Sequence, residues 1–206
     1  MSLETETNRP RRTRTLSAKG QASRQGIIDG AMRVIARDGL DGTSLGAVAS
    51  ESGTSKPAVL YHFGSREHLL RSVARSAIER LFATLTEVTQ HLESDGCGEA
   101  HARAACEALF VPEQFELLRC LHELIGLGLR DAELGSQVQR VFESLARYLE
   151  GQYDEPRPQG VLERCRAVVS SIYGHVPMWL CSDGDLGVRA SAIRSTALLG
   201  RASLPH

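Results

Sequence analysis

Residues 51–70, ESGTSKPAVLYHFGSREHLL, constrain this chain more than any other stretch of it. A glycine, a polar entry, a proline, a short apolar run, a second glycine and a second polar entry follow one another without pause. The spacing predicts a helix barely two turns long, broken on both sides. Such a helix is marginal alone, because nucleation costs more than two turns return. Its neighbours must hold it, and its outer side must be presented to something.

The flanking sequence supplies the neighbours. Ile27, Ile28, Ala31, Val34 and Ile35 recur at the period of an amphipathic helix, and Gly39 ends it. Thr43 is placed to cap a short second helix, SLGAVASES, with Leu45, Val48 and Ala49 on one face. Gly53 suits the left-handed turn that closes it. Thr54 or Ser55 caps the third helix, Pro57 lies in its first turn, and Val59, Leu60 and Phe63 can pack it. Ser65 caps a longer fourth helix from about Arg66 to His91, with Glu67 at its positive end. Helical patterns continue at 98–110, 113–130, 133–152, 160–181 and 186–203. Pro177 is expected to kink the eighth or end it near Val176. No segment reads as a strand, so the expected fold is all-α, with about nine helices.

At 206 residues, 42% hydrophobic and 24% charged, the chain has the composition of an ordinary globular protein. It shows no apolar run of membrane-spanning length and no secretory signal, and a cytoplasmic location is expected. Five cysteines without paired spacing read as reduced thiols. The net charge of −1 conceals an asymmetry. Residues 1–80 hold thirteen Arg or Lys against eight Asp or Glu, whereas the remainder holds eleven against seventeen. A basic front suggests that this part meets a polyanion.

Three short helices, the last two joined by a glycine turn, are the layout of a helix-turn-helix unit. That layout presents the third helix to the major groove. Ser55, Lys56, Pro57 and Tyr61 lie at its N-terminal end or outer face, where side chains reach base edges or phosphate. Thr43 and Ser44 at the start of the second helix, and Arg66 at the start of the fourth, are placed where the DNA backbone would pass. Arg11, Arg12 and Arg14, in a basic arm over residues 1–19, could follow the minor groove.

The run GTSLGAVASESGTSKPAVLYHFGSREHLL, with its apolar first helix ahead of it, resembles the DNA-binding domain of the tetracycline-repressor (TetR) family of transcriptional regulators. Thr43, Ala49, Gly53, Phe63, Ser65 and Leu69 fall in register with that pattern. One departure is Leu60, which stands where the family commonly has a tyrosine. Base reading is therefore expected mainly from Lys56, Pro57 and Tyr61, and phosphate contact from His62.

The resemblance implies a helix-turn-helix domain over residues 20–66 and a helical regulatory, ligand-binding and dimerisation domain over 67–206. It implies a homodimer built on the last two long helices. The stripe Val161, Cys165, Val168 and Ile172 and the stripe Ala192, Ile193, Thr196 and Leu199 are the interface candidates. Two reading heads about 34 Å apart would then match a palindromic double-stranded DNA operator. The resemblance also implies a pocket for a small-molecule effector. Candidate lining residues are Phe82, Leu85, Phe115, Arg119 and His122, followed by Phe142, Tyr173, Met178 and Trp179.

Other chemistries find no support in the sequence. Cys97 with His101, and Cys106 with His91, match no ordinary zinc spacing, and no metal or cofactor is expected. GLGLRD at 126 lacks the third glycine of a dinucleotide loop, and SDGDLG at 182 is too short for a calcium loop. No nucleophile elbow occurs, so no enzyme is expected. The sequence thus points to a ligand-responsive dimeric regulator, most simply a repressor. The alternative is a helix-turn-helix protein that acts through a protein partner with weak or no operator binding.

Overall fold

The computed structural model describes residues 17–92, 98–153, 156–157 and 159–201. Arg11, Arg12, Arg14 and Cys97 lie outside those residues. Nine α-helices and no strand occur among the described residues. They are α1 (Ala18–Gly42), α2 (Leu45–Glu51), α3 (Lys56–Phe63), α4 (Arg66–Thr89) and α5 (Glu99–Leu109), then α6 (Phe115–Gly128), α7 (Ala132–Glu150), α8 (Val161–Cys181) and α9 (Leu186–Arg201). A 3-10 turn, Pro112–Gln114, leads into α6.

The apolar period of α1 buries all five of its predicted core positions. Gly39 interrupts the helical backbone at φ 69°, and a final turn runs on to Gly42. Gly53, at φ 64°, makes the turn between α2 and α3 in the left-handed region that glycine adopts without strain. Only Val59 and Phe63 of α3 are buried. At roughly 1.5–3 kcal/mol each, these two anchors explain how so short a helix is held.

The core formed by α1–α3 does not stop at residue 66. One cluster joins Ile27, Ile35, Val48, Val59 and Leu69 to Cys120 and Leu124 of α6 and Leu134 of α7. The boundary drawn from sequence at residue 66 therefore falls inside continuous packing. Glu123 of α6 strengthens the junction by accepting from the Leu40 N–H at 3.4 Å. A second cluster joins α4, α5, α7 and α8 through Leu85, Leu109, Leu145 and Val169. A third surrounds Trp179 with Phe110, Leu118 and Ala192.

The α8 helix does not end near Val176. It continues through Pro177 to Cys181. A proline in a helix interior costs about 3 kcal/mol, but Val176 and Trp179 on either side are buried and hold the segment in place.

Candidate DNA-reading head and effector cavity

Three serines set the head's geometry. Ser44 Oγ accepts from the Ala47 N–H at 3.0 Å and starts α2. Ser55 Oγ accepts from Ala58 at 3.3 Å and starts α3, and Ser65 Oγ accepts from His68 at 3.2 Å and starts α4. Each hydroxyl satisfies a backbone donor that the helix leaves unpaired. Thr43, predicted to cap α2, is instead buried at 1% exposure and closes α1. Its hydroxyl donates to Gly39 O at 2.7 Å, so it offers nothing to a ligand at the surface.

Arg66 is also committed inside the protein. Its Nε donates to Thr43 O at 2.7 Å and its Nη2 to Leu40 O at 2.5 Å. The guanidinium satisfies carbonyls at the end of α1 and fixes the start of α4 against them, which is a positioning role.

Opposite Val59 and Phe63, α3 presents Ser55, Lys56, Pro57, Leu60 and Tyr61 to solvent. Tyr61 is 68% exposed and Leu60 40%, high values for large apolar side chains. Lys56 has no carboxylate within ion-pair distance among the described residues. Leu60 joins this face beside Lys56 and Tyr61, although the sequence suggested it for packing. Its one-residue offset from Val59 is the signal that could have placed it outside. His62 is half-buried, with its ring against Tyr61 and Phe63, and its Nδ1 lacks a hydrogen-bond partner.

Charged groups brace the head from behind. Glu51, at the end of α2, accepts from Arg33 Nε and Arg37 Nη1, both at 2.8 Å. Hydrogen bonds from Arg37 and then Arg33 hold its carboxyl below the ordinary carboxylate value. Arg24 lies over the Phe63 ring at 4.8 Å and donates to Ser72 Oγ at 2.9 Å. Gly30 lets α1 and α2 cross closely, since a Cβ there would stand 2.8 Å from Ser52 Cβ.

Behind the head, α4 to α8 enclose an apolar cavity of about 100 Å³. Four of the predicted lining residues reach its wall: Leu85, His122, Phe142 and Tyr173. Five do not. Phe82 faces a separate groove, while Phe115 and Trp179 pack together, with ring centroids 5.4 Å apart. Arg119 is exposed above Phe115, and Met178 is 59% exposed on the outside of α8. Trp179 is filled in on every side by Phe110 and its neighbours, so its size makes it core rather than wall.

The sequence missed Ile78, Leu121, Val138, Tyr148 and Val176 among the lining residues. Apolar lining and apolar core share one composition, so periodicity could not separate them. Two polar pairs belong to lining residues but add no polar surface to the wall. Tyr173 OH and His122 Nδ1 stand 3.5 Å apart, and the Thr89 and Tyr148 hydroxyls 2.6 Å apart. Burial raises the Tyr173 pKa.

The stripes suggested for the dimer interface are largely internal. Val161, Cys165, Val168, Ala192 and Thr196 are buried within the single chain. Ile172 lines the cavity, and Ile193 packs near Trp179, while Leu199 is half-buried. The outward side of α8 and α9 carries instead Ser170, Gly174 and Met178, with Ser191, Arg194 and Leu198.

A short exposed helix held by two others and braced against a hollow helical body is a helix-turn-helix arrangement. Residues 27–73 match the family described as bacterial regulatory proteins, tetR family. That match covers the head, from Ile27 in α1 to Val73 in α4. The chain is 35% identical over 65 residues to the transcriptional repressor AcnR of Corynebacterium efficiens, a match covering 32% of this chain and 35% of that protein. It is 33% identical over 101 residues to the nicotine-responsive transcriptional repressor HdnoR of Paenarthrobacter nicotinovorans, covering 46% and 52%. The chain thus spans about a third to a half of the length of these curated relatives. A solved transcriptional regulator from Rhodococcus sp. Rha1 shares the fold over 86% of this chain and 94% of its own, with a TM-score of 0.75 at 17% identity.

Proposed function

We propose that this protein is a ligand-responsive dimeric repressor that reads a palindromic operator. The observation that carries this reading is the outer face of α3. Lys56 can donate to guanine O6 or N7, Tyr61 can donate or accept at a base edge or phosphate, and Leu60 can contact a thymine methyl. Ser44 and Ser55, at helix starts, bring backbone N–H groups toward phosphate. Thr43 and Arg66 act one step back by holding α1 against α4. The two described relatives named above are both repressors, which supports the same direction of regulation. The compartment that fits such an activity is the cytoplasm. No described helix is long and apolar enough to cross a membrane.

The second copy is assigned to the outward face of α8 and α9. Small residues there, Ser170, Gly174 and Ser191, allow close helix approach, and Met178 and Leu198 supply apolar area. This replaces the buried stripes as the interface.

The effector reading rests on the cavity. Its wall favours a small, uncharged, mostly apolar molecule, since an unpaired charge there would be strongly disfavoured. The long contact between His122 and Tyr173 is weak by geometry, so a ligand acceptor or donor can replace it. An apolar cavity of about 150 Å³ takes benzene. A larger molecule must therefore move the walls of this one. Ala74, Ile78 and Leu85 of α4 form part of that wall, and the start of α4 is fixed to the head by Arg66. Effector entry is thereby linked to the orientation of α3. That a relative is nicotine-responsive accords with an effector of this size class.

Replacing Lys56 and Tyr61 together by Ala tests the DNA-reading assignment. Operator binding in a mobility-shift assay should fall by about a hundredfold or more, given roughly 1–3 kcal/mol per good base contact. The melting temperature should hold, because both side chains are exposed. Unchanged operator binding would favour the alternative, action through a protein partner.

A further inference from the structure

A second concavity separates the head from α7; it shares Ile78 and Val141 with the apolar cavity but is lined largely by charged side chains as well. Its volume is about 780 Å³, and its walls come from α1, α3, α4 and α7. Four guanidinium groups line it: Arg24 from α1, Arg71 and Arg75 from α4, and Arg140 from α7. Two carboxylates, Glu79 and Glu133, also line it, together with His62 and His68. Glu133 is occupied by Arg71 at 2.7 Å. Arg24, Arg75 and Arg140 have no carboxylate within ion-pair distance among the described residues.

A solvated basic surface would disperse such charges. Here Arg24 is half-buried between the Phe63 ring and Ser72, and its pKa is lowered, first by burial and then by the charge of Arg75. Two donors or acceptors lining the same groove, Arg71 Nε and His62 Nδ1, are shielded from solvent yet lack a partner. Buried polar groups are normally satisfied, so these atoms mark an incomplete network. An anionic group among the three unpaired guanidiniums would relieve their mutual repulsion and accept charge-assisted hydrogen bonds. Planar, fork-shaped donors favour phosphate or carboxylate over a simple halide.

We infer that the groove between the reading head and α7 binds a small molecule carrying two phosphate or carboxylate groups, held by Arg24 and Arg75 on one wall and Arg140 on the other. The site adjoins the apolar cavity through Ile78 and Val141 but has a different ligand preference. Because it joins α1 and α4 to α7, an occupant restrains the head against the body. The molecule would then respond to two chemically distinct ligands.

The test needs no operator. Pyrophosphate and, separately, citrate are titrated into the full chain by calorimetry at physiological ionic strength. Saturable binding of one anion per chain is expected, with a Kd below about 1 mM. Arg75→Ala with Arg140→Ala should weaken it by about tenfold or more. Both side chains are exposed, and Arg140→Gln alone provides a milder variant that should show a smaller loss in the same direction. No saturable binding up to about 10 mM, or binding equal in wild type and variants, overturns the inference. The phosphates of DNA are the other possible source of anions. If small anions fail to bind while the double variant lowers the salt slope for an arbitrary duplex by about two, the groove serves the DNA backbone and the inference falls. Failure of the anion titration leaves the operator-reading assignment standing, since Lys56 and Tyr61 do not line the groove.

Discussion

At the scale of single residues, the head depends on side chains that never face its ligand. Glu51 is the clearest case, because one carboxylate joins Arg33 and Arg37 of α1 to the end of α2. Those hydrogen bonds depress its pKa in the folded state. A depressed carboxylate contributes stability above its unfolded value, and that contribution is lost as the pH falls through the folded value. Glu51→Gln should therefore lower the melting temperature at neutral pH and flatten the acid limb of stability. The difference from wild type should shrink toward zero in acid. Parallel melting curves at pH 7 and near pH 3, offset equally, would show that Glu51 is not the linked group. Arg66 works similarly, though through carbonyls rather than a carboxylate, and its value lies in fixing α4 to α1.

At the scale of elements, close approach matters more than hydrogen bonds. A Cβ on Gly30 would meet Ser52 Cβ at 2.8 Å and its backbone nitrogen at 3.1 Å. Backbone cannot retreat as a flexible side chain does, so Gly30→Ala should destabilise by about 1–3 kcal/mol, read by chemical denaturation. An unchanged midpoint would mean that α1 and α2 are free to separate. Nothing in the sequence marks Gly30, because it lies within an uninterrupted helical pattern and its reason is a neighbour 22 positions away. By contrast, the apolar period of α1, the serines before α3 and α4, and the turn at Gly53 are local signals, and the elements formed where those signals stood. Thr43, predicted to cap α2, is buried by tertiary packing, and Ser44 takes that place. Lys56 and Tyr61 could be placed on the outer face from the spacing of Val59 and Phe63 alone. Cavity and interface residues could not be separated from core in that way, since all three are apolar at helical spacing. Trp179 and Cys165 became core, and Ile172 became cavity wall.

At the scale of the whole molecule, continuous packing from α1 to α7 makes the head and body one mechanical unit. Its reactivity follows from the same burial. Cys106, Cys120 and Cys165 are buried, and burial pushes their thiols up to about 11, 12 and 11. Of the four described cysteines only Cys181 is exposed, so native alkylation near neutral pH should label it before Cys106, Cys120 and Cys165, as read by peptide mass spectrometry. Rapid labelling of Cys120 would indicate that the junction between α1 and α6 opens readily. Operator reading by α3 can be tested by selecting DNA fragments from a random pool with the purified chain, at low and then moderate salt. One palindromic site, with half-sites about one helical turn apart, is expected, and its recovery should survive the added salt. Sequence-blind binding that disappears with salt would contradict operator reading.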